Sequence, residues 1–224
     1  MQAIEEKIGY SFRDAELLTN ALTHSSYANE NRGRSCESNE RLEFLGDSVL
    51  GLVVADALYR RFPGLPEGRM TRLRAQLVCE ESLHHVAAQL GLGEYIRLGR
   101  GEEHTGGRNR TSILADAVEA LIAAMYLDGG MEVARGFIER YILTALDGEM
   151  PAVGDCKTEL QELVQRKSGS VLTYELLGES GPDHDKTFTS QVSLNGRPIG
   201  SGSGRTKKEA EQAAARAALR EMNR

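Results

Sequence analysis

The sequence has no tryptophan, 3 cysteines and 5 prolines, and aromatic residues make up 5% of its 224 positions. Cys36, Cys79 and Cys156 are odd in number and widely spaced, which excludes a closed disulfide framework and the paired spacing of a zinc site. No apolar run reaches the roughly 18–20 residues that span a bilayer. The opening stretch MQAIEEKIGYSF lacks the basic start and apolar core of a secretory leader. These absences predict a soluble, reduced, cytoplasmic protein with no membrane partner. Scarce aromatics also argue against base-stacking recognition of single-stranded nucleic acid.

A net charge of −6 weighs against a nucleic-acid partner until it is divided along the chain. Residues 1–154 carry −7 and residues 155–224 carry +1. The acidity belongs to the first part, and the tail holds basic clusters that the total conceals.

Up to about residue 147 the pattern is helical. DAELLTNALTH places Leu17, Leu18, Ala21 and Leu22 at helical spacing. SNERLEFLGDSVLGLVVADALYRRFP runs as one long helix to Pro63, with Ser38 or Asn39 available as its cap. RMTRLRAQLVCEESLHHVAAQLGLG continues helical to a glycine stop, GGRNR reads as a loop, and ILADAVEALIAAMYL and MEVARGFIERYILTALDG are further helices. With no β-branched alternation, residues 1–147 are predicted to form an all-α domain. GEMPAVG, residues 148–154, mixes glycine, proline and small residues as a linker does.

From residue 155 the period changes. DCKTELQELVQRKSG is a short helix that Asp155 can cap, and VLTYELLGE and KTFTSQVSL are strands, the second with Phe188, Val192 and Leu194 at even spacing. Asn195-Gly196 supplies a tight hairpin turn into RPIGSGSG. A last helix opens with a capping box, Thr206 with Glu209, and carries Ala210, Ala213, Ala214 and Ala217 to lie close on the sheet. Residues 155–224 therefore form a small α+β unit of order α-β-β-β-α.

The acids carry the chemistry. A helix advances about 100° per residue, so Glu40, Glu43 and Asp47 share a stripe on the long helix, beside a face of Leu42, Leu45, Val49, Leu52 and Val53, with Leu50 at the border. Asp116 and Glu119 share a face in ILADAVEALIAAMYL, which has no other polar surface and no Lys or Arg to pair with them. Solvated surface is the ordinary fate of Asp and Glu, and Glu40, near a helix start, also suits a dipole or capping role. For Asp116 and Glu119 that explanation is weaker, because a carboxylate in an apolar setting costs several kcal/mol, about, unless paired, coordinated or protonated. If the two stripes face each other, four carboxylates converge and raise one another's pKa. Oxygen-only ligands without neighbouring Cys or His favour Mg²⁺, with Mn²⁺ a substitute, over Zn²⁺. Such ions serve phosphoryl chemistry: they lower the pKa of a bound water and neutralise charge on phosphate and leaving oxygen. His24, His84, His85 and His104 lie outside these motifs and read as structural or surface residues.

NERLEFLGDSVL, from Asn39 to Leu50, resembles the signature motif of the ribonuclease III family, and ILADAVEALIAAMYLDGG resembles its second acidic motif. ALTHSSYANEN and FPGLPEGRMTRLRAQLV match the family pattern in order, and DCKTELQE, GPDHDKTF and GSGSGRTKKEAEQAAA resemble the hallmarks of a double-stranded-RNA-binding domain. The resemblance covers essentially the whole chain in the bacterial two-domain arrangement, Cys156 standing where Pro or Tyr is more usual. It implies an all-α endonuclease domain followed by the RNA-binding domain. Glu43, Asp47, Asp116 and Glu119 would form the Mg²⁺ cluster, Asp47 and Glu119 being catalytic, with Glu40 and Glu67 as accessory acids. It further implies a homodimer through the catalytic domain, no organic cofactor, and cleavage of duplex RNA to 5′-phosphate and 3′-hydroxyl ends in rRNA and mRNA maturation or decay.

A duplex reader works through 2′-hydroxyls and phosphates across successive minor grooves. Gln161 and Gln165 share a helix face that can reach such hydroxyls, and His184 lies in a loop able to enter the next groove. Lys207 and Lys208, assisted by Arg205, open a helix whose dipole disfavours cations, so a phosphate partner explains them better than solvent does. Two other activities fit part of the pattern: a duplex-RNA-binding protein that does not cut, and a helical nucleotide hydrolase that would leave the tail unexplained.

Overall fold

The computed structural model describes residues 2–31, 36–146, 156–165, 170–182 and 186–222. The chain divides into two compact units, Met1–Pro151 and Ala152–Arg224. The linker expected at 148–154 and the capping role of Asp155 lie outside the described residues.

The first unit is helical: α1 (Gln2–Ile8), α2 (Ala15–Ala21), α3 (Ser25–Glu30), α4 (Glu40–Arg61), α5 (Glu67–Leu77), α6 (Glu80–Leu90), α7 (Arg100–His104), α8 (Thr111–Gly129) and α9 (Met131–Tyr141). Among the described residues no helix is long and apolar enough to cross a membrane. The centre is α8, whose residues from Ile113 to Met125 are buried except for Asp116 and Glu119. Helices α2, α4, α6 and α9 pack around it. Small side chains at Ala120, Ala123 and Ala124 meet Ala21 and Leu42, with Phe12, Leu17 and Leu45 closing over them.

Four local expectations are corrected. The segment from Arg69 to Gly93 is two helices, broken at Val78 and Cys79, and GGRNR contains a 3₁₀ turn, Gly107–Asn109. That turn is held by Arg108, which donates to the carbonyls of Gly93 and Ile96 at 2.8 and 2.9 Å and to Glu103. Neither Ser38 nor Asn39 caps α4 with its side chain: Asn39 is buried and turns its amide to the Ala21 carbonyl at 3.4 Å, while Ser38 donates to Glu40 at 2.7 Å. On α4, Leu50 is fully buried, Leu45 only half so, and Leu52 is exposed; α8 covers one side of α4, while Leu52 lines an open depression beside α5.

The second unit is α10 (Cys156–Gln165), β1 (Leu172–Ser180), β2 (Thr187–Leu194), β3 (Arg197–Gly204) and α11 (Lys207–Met222). Its antiparallel sheet runs β1-β2-β3. Asn195 and Gly196 turn the hairpin at φ 49° and 79°, as a primed turn requires. Every second residue of late β3 is glycine because α11 lies directly on it. A β-carbon at Gly200 would stand 2.5 Å from the Ala214 carbonyl oxygen, and one at Gly202 would stand 2.4 Å from the Ala214 nitrogen. The alanines buried there are Ala210, Ala214, Ala215 and Ala218, whereas Ala213 and Ala217 are half-exposed. Thr206 caps α11 by accepting the Glu209 N–H at 3.1 Å, and Glu209 reaches back to the N–H of Arg205 at 2.8 Å.

Candidate active site

Helices α4 and α8 meet backbone to backbone. A β-carbon added to Gly46 would stand 1.8 Å from the Glu119 carbonyl oxygen, so no residue but glycine permits this approach. Because Gly46 lies between Glu43 and Asp47 in sequence, the contact carries the α4 stripe to the Asp116–Glu119 face of α8. Glu43, Asp116 and Glu119 each offer one oxygen within 4.8 Å of the others. All three are half-buried, whereas Asp47 is exposed and stands outside that grouping.

Burial is the main cause of a raised pKa at Glu43, Asp116 and Glu119, because an apolar surround disfavours the charged form. Glu119 is pushed up to about 7, with Asp47 the strongest of its charged neighbours, followed by Asp116 and Glu43. Asp47 therefore acts on the centre from its open side. Glu43 feels Asp116, Glu40 and Asp47. Asp116 is raised further by Glu80, in the first turn of α6, and lowered by His24. Hard carboxylate oxygens that repel one another and, among the described residues, form no ion pair with Lys or Arg fit a divalent cation such as Mg²⁺.

Glu40 is exposed and bonded to Ser38. Glu67 opens α5, accepts from Thr71 at 2.7 Å, and lines a depression of about 410 Å³ with Leu52, Leu58, Tyr59 and Met70. A larger depression of about 790 Å³, lined by Asn20, Tyr27 and Arg97 among others, contains none of the four core acids; the chemistry follows the carboxylates rather than the greater volume.

In the second unit Gln161, Arg205, Lys207 and Lys208 are exposed, and neither lysine forms an ion pair among the described residues. The side chain of Gln165 and all of His184 lie outside the described residues.

Four contributors escape the sequence patterns. Gly46 is visible only as a glycine inside a helix, which costs about 1 kcal/mol relative to alanine and so calls for a packing reason. His24, the extended residue before α3, and Glu80, in the first turn of α6, come from other segments, and no spacing rule connects them to Asp116. Phe44 lies between the buried Leu42 and Gly46 of α4 yet faces solvent.

The Ribonuclease-III-like family model matches residues 14–146, and the double-stranded RNA binding motif matches residues 156–222. The chain belongs to the ribonuclease III family. It is 49% identical to Ribonuclease 3 of Listeria welshimeri over 99% of this chain and 97% of that protein. It is 52% identical to Ribonuclease 3 of Geobacillus kaustophilus over 97% of this chain and 89% of that protein. A solved nuclease domain of the Campylobacter jejuni enzyme is 42% identical, with a TM-score of 0.59, covering 64% of this chain and 96% of that domain. Membership of the ribonuclease III family makes the chain an endoribonuclease with a duplex-RNA-binding domain.

Proposed function

We propose that this ribonuclease III is a Mg²⁺-dependent endonuclease for duplex RNA, leaving 5′-phosphate and 3′-hydroxyl ends, and that it serves rRNA and mRNA maturation or decay in the cytoplasm. The observation that carries it is the Gly46–Glu119 contact, which gathers mutually repelling carboxylates on two helices. Glu43, Asp47, Asp116 and Glu119 would hold the ion, with Mn²⁺ able to substitute. Once bound, the ion supplies a water of lowered pKa and neutralises developing charge on the phosphate. Asp47, exposed at the rim, and Glu119, the most strongly perturbed of the acids, are the catalytic pair.

A homodimer through the helical domain is part of this proposal. Phe44, Tyr59 and Leu52 are 79%, 72% and 59% exposed on α4, beside the depression that Glu67 also lines. An apolar stripe left bare on a soluble domain marks an association surface. The Campylobacter domain is itself described as having a region involved in dimer formation. In the second domain Gln161, Gln165 and His184 would meet minor-groove hydroxyls, and Arg205, Lys207 and Lys208 the phosphates.

The test is a pair of near-isosteric variants. Asp47→Asn and Glu119→Gln are expected to abolish duplex cleavage in Mg²⁺ while leaving duplex binding intact. Cleavage by either variant at the parent rate would sink the assignment.

A further inference from the structure

The stretch ALTHSSY contributes no acid to the centre, yet the fold brings His24 beside it. His24 precedes α3 in an extended conformation, and its Nδ1 accepts the backbone N–H of Ser26 at 3.2 Å and lies 2.8 Å from the Ser26 Oγ. The same Oγ accepts the N–H of Gly99 at 2.9 Å. Gly99 can come that close only as glycine, since a β-carbon there would stand 2.8 Å from the Ser26 carbonyl oxygen.

This arrangement decides the tautomer. A backbone N–H can only donate, so the Nδ1 facing it carries a lone pair, and the Ser26 hydroxyl also donates there. The proton of the neutral imidazole is then on Nε2. Among the described residues Nε2 has no hydrogen-bond partner.

The corner that bears His24 is fastened to the metal-binding helix. The Thr23 carbonyl accepts the N–H of Asn39 at 2.8 Å, immediately before α4, and the His24 N–H donates to the Arg97 carbonyl at 3.1 Å. The imidazole also lies within electrostatic reach of Asp116; the lowering of that carboxyl belongs to a charged ring, whereas the ring that accepts the Ser26 N–H at Nδ1 is the neutral one. A group at this place has a constraint to meet. A lysine or arginine would pair with the carboxylates and compete with the cation, whereas a carboxylate would add to the repulsion of RNA. A neutral N–H donor does neither.

We propose that His24 is a substrate-contacting residue, whose Nε2–H donates to a phosphate oxygen of the RNA strand held at the acidic centre, and that Ser26 is the positioning residue that fixes its tautomer. This rests on the nuclease function proposed above. A protonated Nε2 offers no lone pair to a metal, so the role belongs to the phosphate and leaves ion binding to the acids.

Two variants of the full chain separate the donor from the cap. His24→Asn keeps a good helix cap but loses the Nε2 donor; His24→Gln has the length to return a donor near that place. With a long RNA duplex under single-turnover conditions at saturating Mg²⁺, His24→Asn is expected to cut about 10-fold or more slowly, the worth of one hydrogen bond to a charged group. Melting temperature and calorimetric affinity for Mg²⁺ alone should stay at parent values, and His24→Gln should recover most of the rate. Parent-rate cleavage by His24→Asn overturns the proposal, as does a loss of Mg²⁺ affinity equal to the loss of rate. A parent that leaves the duplex intact overturns the nuclease function and this proposal together, whereas a cutting parent matched by His24→Asn overturns this proposal alone.

Discussion

Gly46 and Glu119 touch through their backbones, and a methyl group on Gly46 would occupy the position of the Glu119 carbonyl. Gly46→Ala must push α4 from α8, and overpacking of this kind costs about 1–3 kcal/mol. The same displacement parts Glu43 from Asp116 and Glu119, so Mg²⁺ affinity should fall about 10–100-fold, as when a supporting residue of a metal site is lost. Calorimetric titration with the metal alone measures it. Affinity unchanged beside a lowered melting temperature would show that the contact serves packing only.

The pKa of Glu119, about 7 against an ordinary 4.5, makes a pH prediction. The metal-free folded protein holds this proton more tightly than the unfolded chain does. Its contribution to stability is full below 4.5 and is lost as pH rises through about 7. A bound cation must displace the proton, so Mg²⁺ affinity should strengthen with pH through the same window. Titrations at about pH 6 and 8 in buffers of different ionisation enthalpy should show proton release at the lower pH only. Affinity and proton release that are flat with pH would contradict the shift.

The bare stripe on α4 is open to a direct test. Phe44→Asp places a charge where an apolar surface would be covered, and sedimentation should show the parent as a dimer and the variant as a monomer of unchanged helicity. A variant that still sediments as the parent does would remove Phe44 from the interface.

Lys207 and Lys208 should act through charge and not through sequence. Replacing both by alanine is expected to weaken duplex binding equally across unrelated RNA sequences. The slope of log affinity against log salt should fall by about 1–2. A loss confined to certain sequences would point to base contacts instead.

The acidic centre was half legible in the sequence. Helical periodicity puts Glu43 with Asp47 and Asp116 with Glu119, because each pair lies within one helix. It cannot say that two helices cross at Gly46, since crossings depend on contacts between residues far apart in the chain. Leu52 shows the same limit: its spacing agrees with a buried face, but burial is decided by what lies opposite, and there Leu52 lines only an open depression beside α5. In the second domain the Asn195-Gly196 turn and the Thr206–Glu209 cap were legible because both are local. His24 was not, because its N–H bond to the Arg97 carbonyl, the Gly99 bond that holds Ser26 and its place beside Asp116 arise only when segments far apart in the chain meet.

The central claim, a metal-dependent cut in duplex RNA, is tested most directly by incubating the full chain with a long RNA duplex, with and without Mg²⁺, and determining the chemistry of the product ends. The expected result is short fragments with 5′-phosphate and 3′-hydroxyl ends, formed only when the metal is present. A duplex left intact in Mg²⁺, cleavage that persists in chelator, or products ending in 3′-phosphate would contradict it.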